Sequence, residues 1–225
     1  MIILKKINLL VLLAFFYLSA HAQVNDAQLW SELGIEKKIG SDFKIGLVQS
    51  VRLRQNIAEI DKVFTELEAG YSLGKKISFG LNYRFEQENK SEGYYSIRHR
   101  YGFDAEYKQK IKRVSTSFRA RFQSKYSDYY SSDDGSVPSN NLRFRLKAAY
   151  KIYLYPITPS LSAEMYYSLN GKYSHTISNF RYNAELKYKI NKHNDVSLGY
   201  LIQTEKNTNN PMNIYAFVVG YSFDF

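Results

Sequence analysis

Residues 77–88 read ISFGLNYRFEQE. Ile77, Phe79, Leu81, Tyr83 and Phe85 fall on one side of an extended chain, and Ser78, Gly80, Asn82, Arg84 and Glu86 on the other. Successive side chains of a strand point to opposite faces, so the stretch reads as a β-strand with one apolar and one polar face. A helix would scatter the same residues around its circumference.

The same period runs outward in both directions. Phe43, Ile45, Leu47, Val51 and Leu53 oppose Lys44, Gly46, Ser50, Arg52 and Arg54. Leu142, Phe144, Leu146, Ala148 and Tyr150 oppose Arg143, Arg145 and Lys147. Eleven such segments follow one another, at 28–39, 43–54, 62–73, 77–88, 95–108, 114–126, 141–153, 158–167, 177–190, 195–205 and 213–225. Most have 10–14 residues. A strand of a water-soluble protein has about five or six, and a tilted strand crossing a bilayer about 9–11. The connections alternate between tight turns such as GSD, GKK, QKIKR and NKHN and longer stretches such as QNIAEID, QENKSEGYY, SDYYSSDDGSVPSN and EKNTNNPM. Length and alternation together predict an all-β fold, a transmembrane antiparallel up-and-down barrel of about 10–12 strands. The short turns are expected on the periplasmic side and the long loops outside.

Three further observations favour a membrane over a barrel with an apolar interior. The apolar face carries no formal charge apart from Lys37. A lipid-facing charge at the bilayer midplane costs about 2–4 kcal/mol. Tyrosines gather at strand ends (Tyr71, Tyr107, Tyr150 and Tyr188 among them), where a ring is buried and its hydroxyl stays wet. The chain also ends in YAFVVGYSFDF, residues 215–225, with Tyr221, Phe223 and Phe225 at alternate positions. This is expected to be the closing strand and the assembly signal read by the barrel-assembly machinery.

Strand parity is the difficulty. Single-chain bacterial barrels have an even number of strands, and eleven are counted here. With Phe225 and GSD both periplasmic, the first strand begins at the outer side. The residues from Gln23 to Ala27 reach at most about 18 Å, too little to cross a core of about 30 Å. Either a strand is missed or merged, or the N-terminus sits in the lumen.

Residues 1–22 have a basic start at Lys5 and Lys6, an apolar run from Leu9 to Leu18, and Ala20-His21-Ala22. They are expected to be a secretory signal peptide cleaved after Ala22. Residues 23–225 then form one domain in the outer membrane of a Gram-negative bacterium, surrounded by outer-membrane lipid. Without Lys5 and Lys6 the chain keeps 29 basic against 21 acidic residues, a formal charge of +8. There is no cysteine, hence no disulfide or thiol chemistry.

The polar face is dense with guanidinium. Arg52, Arg54, Arg84, Arg98, Arg100, Arg119, Arg121, Arg143, Arg145 and Arg181 are expected to point into the lumen, mostly in its outer half. Glu66, Glu68, Glu86 and Glu185 share that face, with Glu32, Glu36, Asp104, Glu106, Glu164 and Glu205. One consequence is a network of ion pairs that closes the barrel. The other is a pathway for small anionic solutes, since rings of arginine and lysine line anion pores. Bases interleave with acids instead of forming an exposed stripe, which argues against nucleic acid. Asp133-Asp134 in the longest loop is a weak cation site, because calcium takes six or more oxygens. His99 near Ser96, and His175 near Ser174 and Ser178, give no nucleophile–base–orienter set by spacing. No enzyme and no cofactor are expected.

The opening QLWSELGIEKKIGSDFKIGLVQSVRLRQN, residues 28–56, resembles the start of the uncharacterised barrel family called domain-of-unknown-function family 2490. A Trp followed by Glu, here Trp30 and Glu32, a KKI turn and an arginine-bearing second strand carry the resemblance. It implies an outer-membrane barrel and assigns no activity, substrate or catalytic residue. Two functional classes therefore stand: a narrow, porin-like channel for small anions, and a non-conducting structural or binding barrel with a plugged lumen. A lipid-modifying enzyme comes third.

Overall fold

The computed structural model describes residues 24–90, 93–127, 138–171 and 174–225. The strands are β1 (Val24–Ile39), β2 (Phe43–Arg54), β3 (Glu59–Leu73), β4 (Ile77–Asn89), β5 (Tyr95–Ile111), β6 (Val114–Ser127), β7 (Ser139–Tyr150), β8 (Ile157–Ser168), β9 (Thr176–Lys189), β10 (Asn194–Glu205) and β11 (Met212–Asp224). They close into one barrel in chain order.

Consecutive strands pair antiparallel all the way round, as in Glu66↔Arg84 and Arg119↔Arg145. The seam differs. β1 pairs with β11 in parallel, from Val24↔Met212 to Glu36↔Asp224. An up-and-down meander with an odd number of strands leaves its first and last strands pointing the same way, so closure forces a parallel pair. This resolves the parity difficulty without a missed strand. The barrel is antiparallel everywhere but at this one seam. The chain end is fixed there, because the Phe225 amide donates to the Glu36 carbonyl at 2.9 Å.

One connection differs from the sequence reading. The connection after β2 is only residues 55–58, because β3 starts at Glu59. Gln55, Asn56 and Ile57 all adopt positive φ and turn the chain tightly. Asn56 N and Ile57 N donate to Asp26 Oδ1 and the Ala27 carbonyl on β1, which holds the turn down. At its start β3 carries a bulge opposite Arg52/Leu53. An extra residue re-aims side chains. Here Asp61 and Lys62, consecutive in sequence, ion-pair with lumen charges Arg54 and Glu88.

The apolar face is outside. Leu81, Leu146, Leu161 and Leu198 are each more than 60% exposed, whereas Glu66 and Arg143 are 4% and 6% exposed. A soluble barrel with an apolar interior would show the reverse. Cross-strand aromatic pairs such as Phe79–Phe103 and Phe118–Phe144 stud the outer wall. Such a belt is stable only against lipid, because water would leave it unburied. The interior has one apolar sector, at the seam, where Trp30, Leu201, Ile214 and Ala216 pack together with Met212 and Val218.

Candidate functional site

The lumen wall takes its chemistry from register. Pairing sets β3 Glu66 beside β4 Arg84, and Arg84 beside β5 Arg100. Glu66 Oε2 accepts from Arg84 and, at 3.3 Å, from Arg100. Arg98 pairs with Glu88 and approaches Glu86. Arg54 lies 3.4 Å from Glu59 and 3.7 Å from Asp61. On the opposite arc Glu164 of β8 holds two guanidiniums, Arg119 at 2.7 Å and Arg143 at 2.9 Å. Gln123 accepts from Arg143 at 2.8 Å. Arg121 Nη2 donates to Asp104 at 2.6 Å. Arg145 faces Glu106 at 3.8 Å, and Lys147 faces Glu185 at 3.3 Å. Buried charges need partners of this kind, since an unpaired one costs several kcal/mol.

Two arginines stand outside this pairing. Arg52 has one carboxylate nearby, Glu32 at 3.9 Å. Arg181 donates Nε and Nη2 to the neutral Gln203 Oε1, at 3.0 and 2.5 Å. Aromatic rings hold both instead. Arg52 Cζ lies 3.7 Å from the Trp30 ring centroid and 5.0 Å from that of Phe64. Arg181 Cζ lies 5.2 Å from Trp30 and 5.3 Å from Tyr166. Beyond them Arg84 sits 3.4 Å over Phe64, and Arg143 sits 4.4 Å over Tyr166. The result is an arginine–aromatic ladder, Arg143–Tyr166–Arg181–Trp30–Arg52–Phe64–Arg84. A cation over a ring face is attracted by the ring quadrupole. The indole is fixed in turn, because its Nε1 donates to Gln28 Oε1 at 2.7 Å. The sequence reading placed these arginines in the lumen but missed the ladder. The available signal was an aromatic residue at an inward position, Trp30, Phe64 or Tyr166, where the pattern otherwise sets polar groups.

The half of the lumen nearer the short turns is hollow. A cavity of about 450 Å³ lies there, lined by Lys38, Lys44, Glu68, Asn82, Asp104 and Glu106 among others. Arg119, Arg121 and Arg145 also line it. These three of the ten lumen arginines reach the half nearer the short turns. The hollow has a sequence cause. Gly70 and Gly80 are direct cross-strand partners on the cavity wall. A Cβ at Gly80 would meet only ordinary contacts, Asp104 Cβ at 3.5 Å and the Ala69 carbonyl at 3.7 Å, whereas one at Gly70 would run into the Lys44 stem at 2.8 Å. Asn82 is 7% exposed, and neither its Oδ1 nor its Nδ2 has a hydrogen-bond partner among the described residues.

Other sequence candidates fall elsewhere. Tyr221, Phe223 and Phe225 lie at the short-turn end of the seam strand. Phe223 and Phe225 pack edge to face at 4.7 Å. His99 is on the outer wall, its Nδ1 2.8 Å from the Tyr83 hydroxyl. His175 sits in the connection before β9 with φ of 58°. Residues 1–22 and Asp133-Asp134 lie outside the described residues. Among the described residues no group of three or more His, Asp or Glu is placed to hold a metal.

The family described as Protein of unknown function (DUF2490) matches residues 27–213. No curated protein matches the chain in sequence. Among solved structures the chain is similar to the NanC porin, at 13% identity and a TM-score of 0.56, covering 89% of this chain and 99% of that one. It is similar to a bacterial polysaccharide outer-membrane secretin, at 9% identity and a TM-score of 0.55, covering 82% of this chain. The chain spans 63% of that structure's length. It is also similar to the β domain of the Bordetella autotransporter BrkA, at 12% identity and a TM-score of 0.50, covering 84% and 86%. At such identities the likeness is one of fold, that of outer-membrane barrels.

Proposed function

The chain belongs to the DUF2490 family, and we propose that it is an outer-membrane barrel that passes small anionic solutes through a narrow, arginine-lined lumen. The observation that carries this reading is the glycine-walled cavity of about 450 Å³ beside Arg119, Arg121 and Arg145. A barrel serving only as a scaffold gains stability by filling its interior with side chains. Here the inward wall omits a side chain at Gly80, the Lys44 stem covers Gly70, and a polar space is left in front of cations. Charge focused in a low-dielectric passage raises the local concentration of anions. The surrounding lipid, the barrel-assembly machinery acting on the last strand, export by residues 1–22 and the lack of catalysis belong to the same reading.

The competing reading is a plugged barrel, favoured by the dense pairing around Glu66 and Glu164. Planar-bilayer conductance of residues 23–225 under a salt gradient separates the two. Reproducible steps with a reversal potential favouring chloride, and weakened selectivity in R145Q, support the pore. A folded, heat-modifiable barrel that never conducts leaves the plugged reading.

A further inference from the structure

The ladder differs between its ends and its middle. At one end Arg84 is neutralised by Glu66 and approaches Glu86. At the other Arg143 is neutralised by Glu164. The middle rungs are not neutralised in this way. The Arg52 side chain makes no hydrogen bond to any described residue, and its buried Nε is without a partner there. Its one ion pair, to Glu32, is stretched to 3.9 Å, and that glutamate side chain is 38% exposed. Arg181 makes no ion pair with a described carboxylate, and the hydrogen bonds it makes go to an uncharged amide.

Both guanidinium carbons lie against one indole, at 3.7 and 5.2 Å from its centroid. They are therefore no more than about 9 Å apart. Two like charges this close repel, and a carboxylate on the wall between them would relieve the repulsion. The wall offers Trp30 instead. A ring fixes the position of a guanidinium without cancelling its charge. The Trp30 indole is itself fixed, by Gln28 on one edge and by Leu201, Ile214 and Ala216 around it. Arg181 stands opposite Glu164 in the β8–β9 pairing, but that carboxylate accepts from Arg119 and Arg143, so the barrel holds both forks in place without a counter-charge of their own.

The geometry points to an oxyanion station at Arg52 and Arg181, whose ligand is a small carboxylate taking hydrogen bonds from both forks beside the Trp30 ring. A carboxylate offers two oxygens to a planar guanidinium and takes paired hydrogen bonds. Chloride is a point charge and gains only the Coulomb part. The station therefore prefers carboxylate to halide. This deepens the anion-pathway reading by naming the ligand class and the residues that choose it, and it rests on that reading only for its part in transport.

The chain has one tryptophan, and it is Trp30, so intrinsic fluorescence reports the station directly. The experiment titrates refolded residues 23–225 in detergent micelles with sodium acetate at constant ionic strength against sodium chloride, reading Trp30 emission. The expected result is a saturable change with acetate, absent with chloride, and at least tenfold weaker binding in R181Q and R52Q. Gel heat-modifiability shows that each variant is folded. R181K serves if R181Q does not fold, because lysine keeps the charge and loses the fork, and it too is expected to bind acetate more weakly. No saturable change in the wild type, or the same change in a folded R181Q or R181K, overturns the station. Conductance read in parallel keeps the two readings apart. Anion current without an acetate response retains the pore and removes the station. An acetate response without current retains the station and removes the pore.

Discussion

The Arg52 guanidinium carbon lies 3.7 Å from the centroid of the Trp30 ring, and these two residues face each other across the β1–β2 pairing. The contact ties the seam of the barrel to its charged wall. Trp30 is 4% exposed and sits in the apolar sector with Leu201 and Ile214. Its other neighbours are charged. Removing the ring empties a packed site and takes away a support of Arg52 and Arg181. Trp30→Ala is expected to cost about 3–5 kcal/mol, as large-to-small changes of buried aromatics do. Trp30→Phe keeps a ring face and is expected to cost less. Urea unfolding in micelles, followed by gel mobility because the fluorophore is lost, measures both.

Glu164 accepts from Arg119 at 2.7 Å and from Arg143 at 2.9 Å, with its side chain only 5% exposed. Glu164→Gln leaves two guanidiniums without their carboxylate. Breaking a buried pair from one side costs about 3–5 kcal/mol. Glu36 and Lys44 are just as close, at 2.7 Å, but their side chains are 30% and 47% exposed. Glu36→Gln is expected to cost under about 1 kcal/mol, because water screens that pair. Equal losses in the two variants would contradict a desolvated Glu164 cluster.

Gly80 lines the cavity, and a Cβ there would meet only ordinary contacts. Gly80→Ala removes a flexible residue from a strand and is expected to be neutral or stabilising by up to about 1 kcal/mol. Gly80→Leu places a side chain in the hollow and is expected to lower single-channel conductance while the barrel stays folded. Unchanged conductance in a folded Gly80→Leu variant would place the current path elsewhere.

What could be read from the chain follows from the range of each interaction. Period-two alternation is local, and it located all eleven strands and the direction in which Arg84, Arg100 and Arg143 point. Long-range pairing is not local. The parallel β1–β11 seam depends on how far the sheet curls before its edges meet, and no window of sequence carries that. The cavity depends on Gly80 falling opposite Asp104, which only the register reveals. The ladder depends on Tyr166, Trp30 and Phe64 facing inward from separate strands, and each alone reads as an ordinary break in pattern. The tight turn at 55–58 reads in sequence as a longer loop, because Gln55, Asn56 and Ile57 lack the glycine that positive φ usually demands.

The seam has a direct test, since the chain has no cysteine. Leu29 and Phe217 are register partners across β1 and β11. Replacing both by cysteine is expected to give a disulfide under mild oxidation, seen as a gel shift that reductant reverses. The Cα atoms of a disulfide must lie about 4.4–6.8 Å apart. Cysteines at Leu29 and Tyr221, four residues further along β11, are too far apart in the parallel register and are expected to stay reduced. The opposite pattern would mean a different closing register.

Phe225 distinguishes stability from assembly. Its backbone amide bonds to Glu36, while its side chain is 63% exposed on the outer surface against Phe223. A ring facing lipid gains little over an alanine facing lipid, because the solvent there is itself apolar. Phe225→Ala keeps the backbone bond. It is therefore expected to change the unfolding free energy of the refolded barrel by no more than about 1 kcal/mol. If the last strand is the signal read during insertion, the same variant reaches the outer membrane in several-fold lower amount in cells. The comparison needs both measurements, urea unfolding in micelles and the quantity of heat-modifiable protein in membrane fractions. A large fall in both would make Phe225 a structural residue. No fall in either would remove the signal role, and the terminal aromatic would then be only one more ring in the lipid belt.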